Sequence, residues 1–306
     1  MVREGLSKDL KDKKRREMDQ EEVTKRTKLG LSERDIQILS GLEKWGVLGV
    51  GQINGLVLKT EGGEEEKGRL FFNETERKDY WTRAYKRIEQ LRQAGYLKAE
   101  HEPKVYLLTG KGHEALKERG RARATNFRTG ISPHLVGHEV AVAAVGLTIE
   151  KAFGHEARPV RERVAVTRGG WKPGARRGIP DLWMSGPVAK AIEVEMHAKG
   201  QLEYREIWDA YRLRLRGKGV VLYLTAMPEG ERTITKWAAK FGADFVYACD
   251  LGRFKDAFGR AVFVGCRPGL VLALEPRPAA PSFESVPLPR PPAAAPAAWP
   301  AAGGVA

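Results

Sequence analysis

The chain has 306 residues, with 53 lysines and arginines against 39 aspartates and glutamates, a formal net charge of +14. That balance points to an anionic partner, nucleic acid first. No apolar run approaches the roughly 20 residues of a spanning helix, the charged N-terminus has no apolar signal region, and Cys249 and Cys266 are too few for a disulfide framework or a zinc cluster. The expectation is a cytoplasmic protein with no membrane partner.

Residues 1–29 are almost wholly polar and mix both signs ("KDKKRREMDQEEVTKRTK"), so they offer no face to bury and are predicted to be a disordered or solvated tail. Residues 30–120 are predicted to form one module. Ser32 is an N-cap with Asp35 in the capping-box position, and Ile36, Leu39 and Leu42 follow at helical spacing. "WGVLGVGQINGLV" reads as a turn and a second short helix. The polar run "KTEGGEEEKGRLFFNETERKD" reads as a surface insertion. A third helix, Tyr80 to Ala94, carries Tyr85, Ile88 and Leu91 on an apolar stripe continued by Leu97, with Arg83, Lys86, Arg87 and Arg92 off it and Gly95 as its C′ residue. Two short strands and a last helix follow in "YLKAEHEPKVYLLTGKGHEAL". The cations of the third helix suit the phosphates and base edges of duplex DNA. The other reading is a module for protein contacts.

Residues 125–275 are predicted to form a second domain. "SPHLVGHEVAVAAVGLTIEKAFG" reads as an apolar helix with Ser132 as N-cap and Pro133 at its first position. Leu135, Val136, Val140, Ala143, Ala144 and Leu147 suit burial against a sheet. "PVRERVAVTRGGWKPGARRG" reads as a strand and a loop whose Arg161, Arg163, Arg168, Lys172, Arg176 and Arg177 suit a polyanion. It leads into "GIPDLWMSGPVAKAIEVEMHAK", two strands joined by a tight turn. Asp181 is expected on the first. On the second, Glu193 and Glu195 share one face, while Ile192, Val194 and Met196 share the other. In register, the three carboxylates converge, and hard oxygen ligands suit Mg²⁺ or Mn²⁺. The alternative is a hairpin with solvent-facing acids. Beyond Lys199, Leu202, Ile207, Trp208, Tyr211 and Leu215 fall on one helical face and read as core. "GVVLYLTA" reads as a central strand. "ERTITKWAAKFG" reads as a helix, "ADFVYACD" as a strand, and "GRAVFVGC" with "GLVLALE" as a final hairpin. Residues 276–306 are rich in Pro and Ala and read as an extended, unpacked tail.

The pattern "PD…E-x-E…K" resembles the active-site strand pair of the PD-(D/E)XK nuclease superfamily. That resemblance implies a metal at Asp181, Glu193 and Glu195 and a catalytic role for these acids and Lys199. Glu139, on the first helix, is either a further acid at the metal or an acid favoured near a helix start. Glu195 stands where the superfamily usually has Lys, although some restriction endonucleases carry E-x-E. The helix and hairpin order at 30–120, with "RIEQLRQAGYL" and "VYLLTGKGHEAL", resembles a winged helix-turn-helix domain. The expected fold is therefore mixed α+β and α/β: a winged helix followed by a restriction-endonuclease-like αβββαβ domain. The whole, over roughly 30–250, resembles the replication-relaxation family of plasmids and other mobile elements. "LSERDIQIL…GQI", "YLLTGKG", "PVRERV", "IPD" and "IEVEMHAKGQLEYREIWDAY" carry that likeness. It implies a protein bound to double-stranded DNA and acting in replication, relaxation or mobilisation, with other proteins of those processes as possible partners. A metal-dependent deoxyribonuclease and a transcriptional regulator are the alternatives.

Overall fold

A computed structural model describes residues 29–57, 74–101, 104–123, 127–160, 179–186, 188–256, 260–267 and 269–275. Both expected tails (beyond Leu29), most of the polar insertion and the arginine-rich loop with Arg161, Arg163, Arg168, Lys172, Arg176 and Arg177 lie outside the described residues. The elements are α1 (Glu33–Trp45), β1 (Leu48–Gly49), α2 (Val50–Val57), α3 (Glu74–Gln93), β2 (Leu97–Glu100), β3 (Val105–Leu108) and α4 (Gly110–Glu118). They continue with α5 (Pro133–Ala152), β4 (Ala157–Pro159), β5 (Leu182–Met184), β6 (Ala189–Glu195), α6 (Gln201–Leu215), β7 (Gly219–Thr225) and α7 (Gly230–Lys240). The last are β8 (Val246–Asp250), α8 (Leu251–Asp256), β9 (Ala261–Gly265) and β10 (Val271–Leu274).

The architecture is mixed α/β. A three-stranded antiparallel sheet has the order β1-β3-β2, and a seven-stranded sheet has the order β10-β9-β8-β7-β6-β5-β4. Within the larger sheet β6, β7 and β8 are parallel, and every other pairing is antiparallel. Strand phase divides its residues between two cores. Leu182, Ile192, Val194, Leu222 and Leu224 join α5, whereas Ala191, Val221, Tyr223 and Ala248 join α6 and α7 around Tyr204, Trp208 and Tyr211. As expected, "GVVLYLT" is central and buried.

The first core does not stop at the sheet. It runs from Ile36, Leu39 and Trp45 of α1 through Ile88 and Leu91 of α3 to α5 and on to Leu274. Trp45 packs against Gly146 of α5, where an added Cβ would come within 2.1 Å of the indole. Lys44 pairs with Glu150, and Gln52 Nε2 donates to the Val140 carbonyl at 2.7 Å. The α1 capping box forms as the sequence requires: Asp35 N–H donates to Ser32 Oγ, and Ser32 N–H donates to Asp35 Oδ2. Gly95 ends α3 at φ +79°.

Several expectations need correction. Helix α3 starts at Glu74, so part of the polar run is helical; its four-residue-spaced charges tolerate a helix as readily as a loop. Strand β1 is only two residues long and gives no alternation to read. Tyr85 and Leu135 are about two-fifths exposed. Leu202 is 69% exposed, and Tyr204 takes its place in the core. Neither cysteine is in a disulfide: Cys249 is buried, and Cys266 is half-buried with its thiol on Asp244 Oδ1 at 3.3 Å.

Candidate functional site

The hairpin of β5 and β6 pairs Leu182 with Ile192 and Met184 with Lys190, so the acids meet near the carboxyl end of β6. Asp181 immediately precedes β5 rather than lying within it. Its side chain is buried, and Oδ2 accepts the Val194 N–H at 2.7 Å, closing the hairpin where the strand ladder stops. His138 of α5 brings Nε2 to 3.4 Å from the same oxygen. Glu193 and Glu195 lie on the α6 side of the sheet, with Ile192 and Val194 on the other, as the alternation requires. Tyr211 of α6 donates its hydroxyl to Glu193 Oε1. Glu195, 5% exposed, pairs with Lys199, which stands two residues ahead of α6.

Burial pushes the Glu195 carboxyl above the usual range; the Lys199 ammonium pulls it back, and the charge of Asp181 pushes it up again. Burial also raises the phenols of Tyr204, Tyr211 and Tyr223, with the nearby glutamates adding to the shift. These tyrosines are therefore neutral donors at any ordinary pH. Tyr223 Oη accepts the Trp208 N–H at 3.1 Å.

Asp181, Glu193 and Glu195 are thus neighbours, but each carboxylate is held by a different group. Among the described residues, no three His, Cys, Asp or Glu side chains are grouped to hold a metal ion. One oxygen of each acid already faces a protein donor (a backbone N–H on Asp181 Oδ2, a phenol on Glu193 Oε1 and an ammonium on Glu195 Oε2), so the donor set as it stands is a poor fit to the expected Mg²⁺ or Mn²⁺. Glu139 is paired with Arg128 of the segment ahead of α5, Nη1 to Oε2 3.1 Å. The sequence pattern points to no role for His138, Tyr204 or Tyr211 at the acids. An imidazole six residues into an apolar helix was the one signal for the first; the tyrosines carried a core pattern and nothing more.

The cations of α3 separate into different roles. Lys86 is exposed, and Arg92 is exposed but bonded to Glu89 one turn back. The side chain of Arg83 lies outside the description. Arg87, expected on the exposed face, turns inward. Its Nε donates to Asp35 Oδ1 at 2.8 Å and its Nη2 to Asp35 Oδ2 at 2.5 Å and to the Gly30 carbonyl at 3.1 Å. It therefore ties α3 to the capping box of α1. Tyr85, displaced from the core, is reached by Lys104 of the β2–β3 turn, Nζ to Oη 3.5 Å. Among the described residues, no helix is long and apolar enough to cross a membrane. Comparison of the chain with family models, with curated proteins and with solved structures returned no match.

Proposed function

We propose that this chain is a DNA-binding protein of a plasmid or another mobile element, acting in replication, relaxation or mobilisation. In this reading α1 to α4 with β1 to β3 are a winged helix, and α5 to β10 are a restriction-endonuclease-like domain. The carrying observation is the order α1-β1-α2-α3-β2-β3 with the sheet order β1-β3-β2. That arrangement leaves one helix and one hairpin side by side, and Lys86, Tyr85 and Lys104 are exposed on them. A duplex would take α3 in its major groove and the β2–β3 turn along an adjacent backbone. Phosphate neutralisation supplies most of the affinity, in keeping with the +14 charge.

The test is fluorescence anisotropy with a labelled duplex, in EDTA, over a range of salt. The expected log–log salt slope is steep, about −0.9 per phosphate neutralised. Lys86→Ala with Lys104→Ala should weaken binding and flatten the slope by about two contacts' worth. Salt-independent or absent binding would move the first module to a protein-contact role. Nicking of supercoiled plasmid in Mg²⁺ or Mn²⁺, lost in Asp181→Ala, would move the assignment to a metal-dependent deoxyribonuclease.

A further inference from the structure

We infer that the carboxylate site is held by protein donors rather than by a divalent ion: Lys199 pairs with Glu195, the His138 imidazole lies against Asp181, and the sheet module meets a DNA backbone without a metal. Only the last clause rests on the DNA-binding reading. The compensation itself rests on side-chain positions. A shared Mg²⁺ needs carboxylate oxygens at about 2.0–2.1 Å from one point, and Mn²⁺, another hard oxygen-seeking ion, makes a similar demand. Here Asp181 Oδ2 is spent on Val194 N–H at 2.7 Å with His138 Nε2 at 3.4 Å; Glu193 Oε1 takes the Tyr211 hydroxyl, and Glu195 Oε2 takes Lys199.

Turning these oxygens to a common ion would strand their donors. The Tyr211 phenol would lose its acceptor in the aromatic core, and Lys199 would leave Glu195, which neutralises it. Buried polar groups without partners are costly. The acid at position 195 fits the same account. An acid there adds a negative charge beside Asp181, and Lys199, one helical turn's worth of residues further on, returns a positive one. The pair is neutral, whereas a lone Glu195 would repel both its neighbours and a phosphate.

The experiment uses Mn²⁺ as the probe on the full chain. Thermal unfolding and calorimetric titration are run on wild type and Asp181→Asn, and duplex binding is measured in EDTA and in Mn²⁺. An ion held at 100 times its dissociation constant adds about 2.7 kcal/mol, a rise of several degrees. The expected result is no saturable heat, the same melting temperature with and without Mn²⁺ in both proteins, and equal duplex affinity in the two buffers. A Mn²⁺-dependent rise of several degrees that vanishes in Asp181→Asn overturns the inference. Lys199→Met is the complementary variant. It should melt lower, and Mn²⁺ should now stabilise it, because Glu195 has lost its cation. If it melts with wild type and ignores Mn²⁺, the compensation is refuted. If it does not fold, the wild-type and Asp181→Asn pair decides alone. Loss of duplex binding in EDTA would sink the DNA reading and leave the metal result standing.

Discussion

Replacing Arg87 with Met tests whether this arginine is a clamp or a DNA contact. Asp35 is fully buried, and Arg87 gives it two charge-assisted bonds from a side chain 28% exposed. Removing one partner of a buried ion pair costs about 3–5 kcal/mol. Two corrections lower that figure: the arginine is partly solvated, and Ser32 still donates to Asp35 Oδ2 through N–H at 2.7 Å and Oγ at 2.8 Å. About 2–3 kcal/mol is expected at pH 7. The pH dependence has a definite sign. Burial pushes the Asp35 carboxyl up, but the bonds from Arg87 and Ser32 outweigh it and hold the folded value below the ordinary one. A depressed carboxylate contributes stability above its unfolded value near 3.9 and loses it as pH falls through the folded value. In Arg87→Met the burial effect is less opposed, so the folded value rises and the gap to wild type narrows as pH falls toward about 4. Urea unfolding followed by circular dichroism at pH 7 and pH 4 reads both effects. An Asp35→Asn background should shrink the Arg87→Met cost by about half or more. A cost below about 0.5 kcal/mol at pH 7, or one that grows in acid, would refute the clamp.

Gly146→Val should lower stability by about 1–3 kcal/mol despite removing a helix glycine, since its Cβ would strike the Trp45 indole; a melting temperature at or above wild type would contradict the packing. Asn54→Leu should raise stability by about 1 kcal/mol, because both amide atoms of Asn54 are buried and find no hydrogen-bond partner among the described residues; urea titration checks it, and a loss would mean that the amide is satisfied. Leu213→Gln should change stability by less than about 0.5 kcal/mol, as that leucine is 80% exposed on α6, and duplex affinity should not change.

Local rules made much of this molecule legible. The Ser32–Asp35 box, the C′ role of Gly95 and the opposite faces of Ile192 and Glu193 depend on neighbours within a few residues, so the sequence contains them. What failed was phase and partnership. Leu202 and Tyr204 lie in one helix, and helical spacing favours the wrong one; the sheet beneath α6 selects the tyrosine, on which Trp208 stacks and which Tyr223 meets edge-on. Arg87 carries the same charge whether it faces phosphate or Asp35, 52 residues away, so only the tertiary structure assigns it. The acids were found because their spacing is local. Their holders, His138 on α5 and Tyr211 on α6, come from other elements, which the hairpin's own sequence does not specify.

The seam between α1 and α5 has a practical consequence for anyone cutting this protein into pieces. Trp45, Ile53 and Leu48 are covered in the full chain, and α5 supplies part of that cover through Gly146 and its neighbours. A fragment ending near residue 120 would lay the Trp45 indole open to water beside Lys44, stripped of Glu150. Such a fragment is expected to self-associate through that sticky patch, and a gel-shift signal from it would report clumping on DNA as readily as recognition. Retaining α5, or exchanging Trp45 for a polar residue, would keep the smaller piece monodisperse.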